Sequence, residues 1–458
     1  MNFVKVKDII NVCNATLLCG DENITVKTFS KDTRTITTND FYVGIKGENF
    51  DGNKFFETAL DKGAIGCMIE NDVTNDILKK YSDKVIIRVN NSIEAIQKLA
   101  SFKRSLYDIP VVAVTGSVGK TSTKDIISSV LGENYKVLKT EGNLNNHIGL
   151  PFTLLKLEDH TAAVIEMGMS NFGEISLLTR IAKPTIAVIT NIGTSHIGIL
   201  GSRENILKAK LEILEGLQPG GKLIINNDND LLHEYSKNHD NQNIITYGIE
   251  NSSEFMASRI TLHENSSNFI LSKSSSKFNI SVPVGGKHFI YNALCAFSIG
   301  NTLKIDSSKI INGINNFELT KSRMDIQKSK NEVTIINDSY NASYDSMKAS
   351  LEYLKNLSAK RKIAVLGDML ELGDYSKELH EKVGIEVHKN NINVLITVGN
   401  YSKYIFDMAN SLGIENSYHF INNSEAIIFL KQFLKPKDVV LLKASHSMKF
   451  NEILKEII

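Results

Sequence analysis

One stretch constrains this chain more than any other: VVAVTGSVGKTSTKDIISSVLG, residues 111–132. Val111 to Val114 is a short β-branched apolar run of the kind a buried parallel strand needs. A glycine-rich turn follows, Thr115, Gly116, Ser117, Val118, Gly119. Lys120, Thr121 and Ser122 then open a segment whose apolar residues, Ile126, Ile127, Val130 and Leu131, recur at helical spacing. A strand therefore runs into a tight loop and out into a helix N-terminus, which is a seat for phosphate. The glycines let backbone N–H groups converge, the helix dipole adds about half a positive charge, and Lys120 adds a whole one. Thr121 or Ser122 can offer a hydroxyl to a magnesium ion that rides with the phosphates. The spacing G-x-x-G-K-T is shorter than the common G-x-x-x-x-G-K-[ST] pattern. With the strand and the amphipathic helix in register, it predicts a nucleoside triphosphate site rather than an incidental strand–helix turn.

The chain has 458 residues, room for about three domains of roughly 150 residues each. Its net charge of +1 creates no global field for nucleic acid or membrane. Cys13, Cys19, Cys67 and Cys295 form no C-x-x-C pair, so reduced thiols in a cytoplasmic protein are the simpler reading. No signal-peptide core stands at the N-terminus, and no apolar run approaches the ~18 residues of a transmembrane helix.

Three units follow from the patterning. In the first, residues 1–108, strands are expected at 41–45, 65–70 and 85–89 and helices at 53–62 and 92–106. Two polar, turn-rich stretches lie in it, SKDTRTITTND (30–40) and KGENFDGNKF (46–55), either binding loops or plain surface. The second, 109–317, alternates strand and helix, with strands at 162–168, 185–193, 221–228 and 244–248, a polar β-hairpin insertion at 255–283, and closing helices near 288–303 and 309–317. That rhythm implies an α/β fold with a mostly parallel sheet covered on both faces. The third, 318–458, repeats it, with strands at 333–338, 362–368, 394–399 and 438–445.

Several residues stand where chemistry is expected. Glu166 ends an apolar strand beside the phosphate loop and can hold magnesium or its water; otherwise it is a helix-start acid. His196 follows the next strand, in TNIGTSH (190–196), on the same rim, as a metal ligand or a structural histidine. Lys210 lies in the helical pattern SRENILKAKLEIL, and pattern alone gives it no special status. Asn143, Asn145, Asn146 and His147, in GNLNNHIGLP (142–151), either wrap a polar substrate or form Asx turns. Asp338 and Asn341, in NDSYNASYDSM (337–347), are candidate ribose or base contacts, or helix caps. Arg323 can reach phosphates across a closing cleft, or is an exposed linker charge.

These stretches together resemble the Mur ligases of peptidoglycan synthesis over the full length. TGSVGKTST is similar to the family's short phosphate loop, and GNLNNHIGLP, EMG, TNIGTSH and LGSRENILKAKLEI follow in the family's order and spacing. NDSYNASYDSM and LGDMLELG resemble the member that adds a dipeptide, and the D-N-P-R stretch of the sibling that adds a diamino acid is missing from the sequence. The resemblance implies three domains: 1–108 for the UDP end of the substrate, 109–317 for ATP, and a Rossmann-like 318–458 that closes on ATP and binds the incoming dipeptide. It implies ATP and two magnesium ions as cofactors, a UDP-N-acetylmuramoyl tripeptide and D-alanyl-D-alanine as substrates, and a monomer. By resemblance Lys120 and the loop amides hold the ATP phosphates, with Thr121, Glu166 and His196 at magnesium. Lys210 matches a lysine that is carbamylated in the family and bridges to a second magnesium. Asn292, Arg323, Asp338 and Asn341 complete the nucleotide seat, and Thr33, Arg34 and the loop carrying Gly47, Asp51 and Gly52 take the UDP end. Two stretches depart from the family pattern: NASY (341–344) stands where N-A-N-P is common, and KASHSMKF (443–450) where G-S-R-x-M is common. They leave two alternatives open, a related ligase with another acceptor and, more remotely, a nucleotide-dependent switch.

Overall fold

The structure, a computed structural model, describes residues 3–47, 49–239, 243–320 and 323–458. Its middle is a nine-stranded sheet. The phosphate-loop strand Val111–Thr115 is buried along its whole length, which requires cover on both faces. It lies between Ala162–Glu166 and Ile186–Ile189, parallel to both, with Glu166 opposite Val114 and Ile189 opposite Thr115. This register is what places Glu166, the phosphate loop and the loop after Ile189 on one rim. The helices Lys120–Gly132 and Lys287–Thr302 pack against each other over the sheet.

The polar β-hairpin expected at 255–283 forms, as antiparallel pairs, but it has three strands and is part of the central sheet. The strands are Phe255–Leu262, Ser267–Lys273 and Ser276–Val282. The first pairs parallel with Ile244–Gly248, and the other two follow antiparallel. The physical reason is a buried face: Phe255, Ala257, Phe269, Leu271, Ile280 and Val282 alternate inward, and Phe255 and Phe278 meet Phe297 of the long helix. The polar residues that suggested a hairpin insertion occupy the outer face.

A five-stranded sheet precedes this one, ordered Thr16–Cys19, Val85–Arg88, Gly66–Ile69, Asp40–Val43, Thr28–Ser30. A six-stranded sheet follows it, ordered Asp325–Lys328, Thr334–Asn337, Asp438–Lys443, Arg361–Gly367, Val394–Val398, Ser417–Phe420, with only the first strand antiparallel. The NASY departure has a local explanation here. Ser343 is the N-cap of the helix Tyr344–Asn356, its Oγ accepting from Ser346 N. Serine and asparagine cap about equally well, and the next position tolerates Pro without needing it, so the substitutions preserve the helix start. Among the described residues, no helix is long and apolar enough to cross a membrane.

Candidate active site

The phosphate loop is braced by the loop that follows Ile189. Ser117 N donates to Asn191 O at 3.1 Å and Val118 N to Asn191 Oδ1 at 2.9 Å. Thr190 Oγ1 and Asn191 Nδ2 both donate to Val118 O. Gly116 has φ 151°, and a Cβ there would stand 1.9 Å from Thr190 Oγ1, so only glycine lets the loop close on its brace. The first intrahelical bond of Lys120–Gly132 runs from Thr123 N to Gly119 O. The amides of Gly119, Lys120, Thr121 and Ser122 are therefore the donors left for an anion.

Around this loop stand charges with too few partners. Lys120 Nζ folds back onto Gly116 O at 2.7 Å. The protein packed around this half-buried side chain pushes its ammonium below the ordinary lysine range; Glu166 pulls it up and Arg323 pushes it further down. Glu166 is 2% exposed; its Oε1 accepts from Asn145 Nδ2 at 2.8 Å, while its Oε2 is buried with no hydrogen-bond partner. Lys210, in the helix Arg203–Leu211, is 1% exposed, and its side chain makes no hydrogen bond or ion pair among the described residues. Burial, and then the charge of Lys120, drive it well below the lysine range. An ammonium there would carry several kcal/mol of uncompensated desolvation.

The third unit supplies more of the site. Arg323 Nη2 donates to Thr121 Oγ1 at 3.2 Å, and its guanidinium lies 4.1 Å over the Tyr340 ring with Nε buried and unpartnered. It is thus a cation at the phosphate loop, not a linker charge. Asp338 is bonded to Lys443 Nζ at 2.5 Å and Ser350 Oγ at 2.7 Å. Burial raises its carboxyl, but Lys443, Ser350 and Arg323 outweigh that and hold it below the usual range. Lys443 is itself lowered, by burial first, against the pull of Asp338. The pair stands as ions because the carboxylate has donors besides Lys443. Asn341 is exposed, with its Oδ1 on Ala342 N. Asn292 Oδ1 accepts from Thr123 Oγ1 at 3.0 Å, and its Nδ2 is a buried donor without a partner.

His196 sits in the left-handed region, φ 64°, with Nδ1 2.7 Å from Glu371 Oε2 though poorly aimed at it. A carboxylate only accepts, so in the neutral imidazole this neighbour favours the tautomer with its proton on Nδ1. The same contact lowers the Glu371 carboxyl, against burial. Among the described residues, no group of three His, Cys, Asp or Glu gathers as a metal cluster. The fit for magnesium rests on the orphaned Oε2 of Glu166 and the hydroxyl of Thr121, hard oxygens of the type that ion takes.

The residues expected at the substrate lie on two other loops. Asn146 Oδ1 accepts from Ile148 N and Gly149 N at the start of the helix Gly149–Leu155, so for this residue the turn reading holds. Asn143 and His147 are exposed, and a cleft near 160 Å³ opens between Asn146, His147, Gly168, Phe172 and Leu177. On the five-stranded unit, Thr33 O accepts from Lys62 Nζ, and Arg34 pairs with Asp32 in open solvent. Gly47 N donates to Phe50 O, Asp51 Oδ1 accepts from Asn53 N, and Gly52 N donates to Ile45 O, which folds the loop into a tight turn; its Glu48 lies outside the described residues. Sequence reasoning named Asn145 only among its neighbours, and it missed Asn191, Tyr340 and Lys443. For Asn191 the signal was its place at a strand tip on the rim; the others carry none.

A phosphate loop braced from its own sheet, crowded by two lysines and reached by an arginine of a third α/β unit, defines a nucleotide enzyme that works between domains. The middle domain of Mur ligases matches residues 114–300, and the Mur ligase glutamate ligase domain matches 322–446. The UDP-N-acetylmuramoyl-tripeptide–D-alanyl-D-alanine ligase of Bacillus subtilis (strain 168) is 36% identical over 457 residues, 99% of this chain and 98% of that one. The ligase of the same name from Escherichia coli (strain K12) is 30% identical over 459 residues, 99% and 98%. A crystal structure of MurF from Acinetobacter baumannii superimposes with a TM-score of 0.89 at 26% identity, covering 100% of this chain and 99% of that one. MurF ligase from Thermotoga maritima, in complex with ADP, gives 0.81 at 28% identity, covering 94% and 97%. The chain belongs to the Mur ligase family, with that family's three-domain α/β architecture.

Proposed function

We propose that this chain joins D-alanyl-D-alanine to the C-terminal carboxylate of a UDP-N-acetylmuramoyl tripeptide at the expense of ATP, in peptidoglycan synthesis. Full-length similarity to ligases of that name supports the reaction. The observation that carries the chemistry is the crowding of two lysines, Lys120 and the buried Lys210, at a phosphate loop where a carboxylate oxygen of Glu166 has no partner. Anions and a divalent cation complete such a site.

The tripeptide carboxylate attacks the γ-phosphorus of ATP and ADP leaves. The amine of D-alanyl-D-alanine then attacks the acyl carbon, and the tetrahedral intermediate collapses to the amide with release of phosphate. The difficulty is bringing two anions together. Lys120 and the amides from Gly119 to Ser122 hold the phosphates and offset their charge, with Arg323 added by the third unit. Thr121, Glu166, His196 through Nε2, and Lys210 would hold magnesium, as two ions. Bound there, magnesium supplies charge neutralisation of the transferring phosphoryl group. Lys210 serves as a carbamate, which converts a costly buried ammonium into an anionic oxygen ligand. Asn292 Nδ2, Asp338 and Asn341 border the nucleoside. Docking of the third unit keeps water from the acyl phosphate.

The units take the ranges 1–108, 109–317 and 318–458. Thr33, Arg34, Gly47, Asp51 and Gly52 meet the UDP end, and Asn143 and His147 the rest of the donor, with Asn146, its Oδ1 engaged in the turn, lining the same cleft. The nucleotide-linked donor places the reaction in the cytoplasm. In this reading the chain works as a monomer. One observation bears on the acceptor: His446, in the stretch that departs from the family pattern, is exposed beside Tyr340, ring centres 5.7 Å apart. The test is phosphate release with ATP, magnesium and the UDP tripeptide, run with D-alanyl-D-alanine, D-alanyl-D-lactate, D-alanine or no acceptor. Release with D-alanyl-D-alanine alone supports the proposal. Release with another acceptor moves the protein to a specialised relative, and slow release indifferent to acceptor makes it a switch.

A further inference from the structure

The second residue of the helix Tyr344–Asn356, Asp345, grips the loop that braces the phosphate loop. Its Oδ2 accepts from Thr194 N at 2.8 Å and from Thr194 Oγ1 at 3.1 Å. The approach is so close that a Cβ on Gly193 would stand 2.2 Å from Oδ2. Gly193 N donates to Ser117 Oγ at 2.9 Å, and Ser195 Oγ to Ser117 O at 3.2 Å. One short loop therefore separates this carboxylate of the third unit from Ser117 of the phosphate seat. Two contacts flank it on the same edge: Gly198 N to Glu371 O at 3.2 Å, and Tyr375 Oη to Gly201 O at 2.6 Å. Asp345 is set up for the task by its place in a first helical turn, where the helix dipole stabilises a carboxylate.

We propose that Asp345 is a positioning residue: by gripping Thr194 it ties docking of the third unit to the shape of the phosphate loop, so that ATP is held in its reactive pose only when that unit is docked. This rests on the ATP-dependent reading above and not on which acceptor is used. The two bonds to Thr194 exist only in the docked arrangement. Bonds to a charged acceptor each shift an equilibrium by roughly tenfold or more, so their loss depopulates the docked form in proportion.

The test uses the full chain with Asp345→Ala, Asp345→Asn, Gly193→Ala and the double variant Gly193→Ala/Asp345→Ala. Steady-state kinetics are read for ATP and for the UDP tripeptide, with melting temperatures and calorimetric binding of a non-hydrolysable ATP analogue. Asp345→Ala is expected to lower kcat/KM for ATP, and analogue affinity, by about ten- to a hundredfold, leaving KM for the UDP tripeptide unchanged. Asp345→Asn keeps an acceptor for Thr194 N–H and recovers most of the loss. Gly193→Ala pushes a methyl group into Asp345 and is damaging alone, yet costs little once Asp345 is alanine, so the two effects are not additive. Wild-type kcat/KM for ATP and wild-type analogue affinity in Asp345→Ala would overturn the proposal. So would additive Gly193 and Asp345 effects, or equal loss for both substrates with a lowered melting temperature. If the wild-type chain turns over with none of the acceptors, the functional reading fails, and analogue binding still decides the role of Asp345.

Discussion

Replacing Lys443 by methionine isolates the buried ion pair at the base of the nucleotide seat. The Lys443 side chain is 3% exposed and that of Asp338 12%, with 2.5 Å between the charged atoms. Methionine keeps most of the volume and removes the charge. Asp338 then retains Ser350 Oγ at 2.7 Å and a long contact from Met324 N at 3.4 Å. Stranding one member of a buried pair costs about 3–5 kcal/mol; with Ser350 and Arg323 still beside the carboxylate, the lower end, about 3 kcal/mol, is expected. The pH dependence carries a sign. In the wild-type chain Asp338 titrates below its unfolded value of about 3.9, so its contribution is present above that pH and lost as pH falls through the folded value. Without Lys443, burial dominates and the folded carboxyl rises above its unfolded value. The deficit of Lys443→Met should therefore be largest near neutral pH and shrink toward about pH 4, where the carboxyl takes a proton. Urea unfolding followed by far-UV circular dichroism measures this, with Asp338→Asn/Lys443→Met expected to recover much of the loss. A deficit below about 1 kcal/mol, or one that does not change with pH, would refute the reasoning.

Lys210→Ala should abolish turnover and regain part of it with added short carboxylates, which replace the carbamate's oxygens; full activity without rescue would remove Lys210 from the site. Lys120→Ala should abolish phosphate release while calorimetry still detects the UDP tripeptide, and loss of both would point to a shared site. Ser343→Ala removes the cap of Tyr344–Asn356 and should cost about 1 kcal/mol in urea unfolding, with no change if the cap bond to Ser346 N contributes nothing.

The rim of the central sheet was legible because local signals sufficed. A buried strand, two glycines and a lysine at a helix start specify a phosphate seat before any tertiary contact is known. Glu166 follows from the rule that parallel strands deliver their C-terminal ends to one edge, and Asn191, passed over in the sequence, stands on the same edge. Contacts between units were not legible. Nothing distinguishes Asn145 from its neighbouring asparagines until its amide is seen on Glu166. Lys443 reads as a strand-end lysine until Asp338 is found 105 positions away in sequence. The strands from 255 to 282 were misjudged because polar outer residues interleave with an apolar inner face, Phe255, Ala257, Phe269, Leu271, Ile280 and Val282, whose cover by the helix Lys287–Thr302 is a tertiary contact. Lys210 was visible only through resemblance, since a helix lysine is ordinarily solvated and burial is a property of the fold.

The most direct test of ligation through an acyl phosphate is to follow oxygen. The UDP tripeptide is prepared with ¹⁸O in its C-terminal carboxylate and turned over with ATP and D-alanyl-D-alanine, and the released phosphate is read by mass spectrometry. Attack of that carboxylate on ATP predicts one labelled oxygen in the phosphate for each amide formed. Unlabelled phosphate would mean that water, not the tripeptide, receives the phosphoryl group, and would contradict the account.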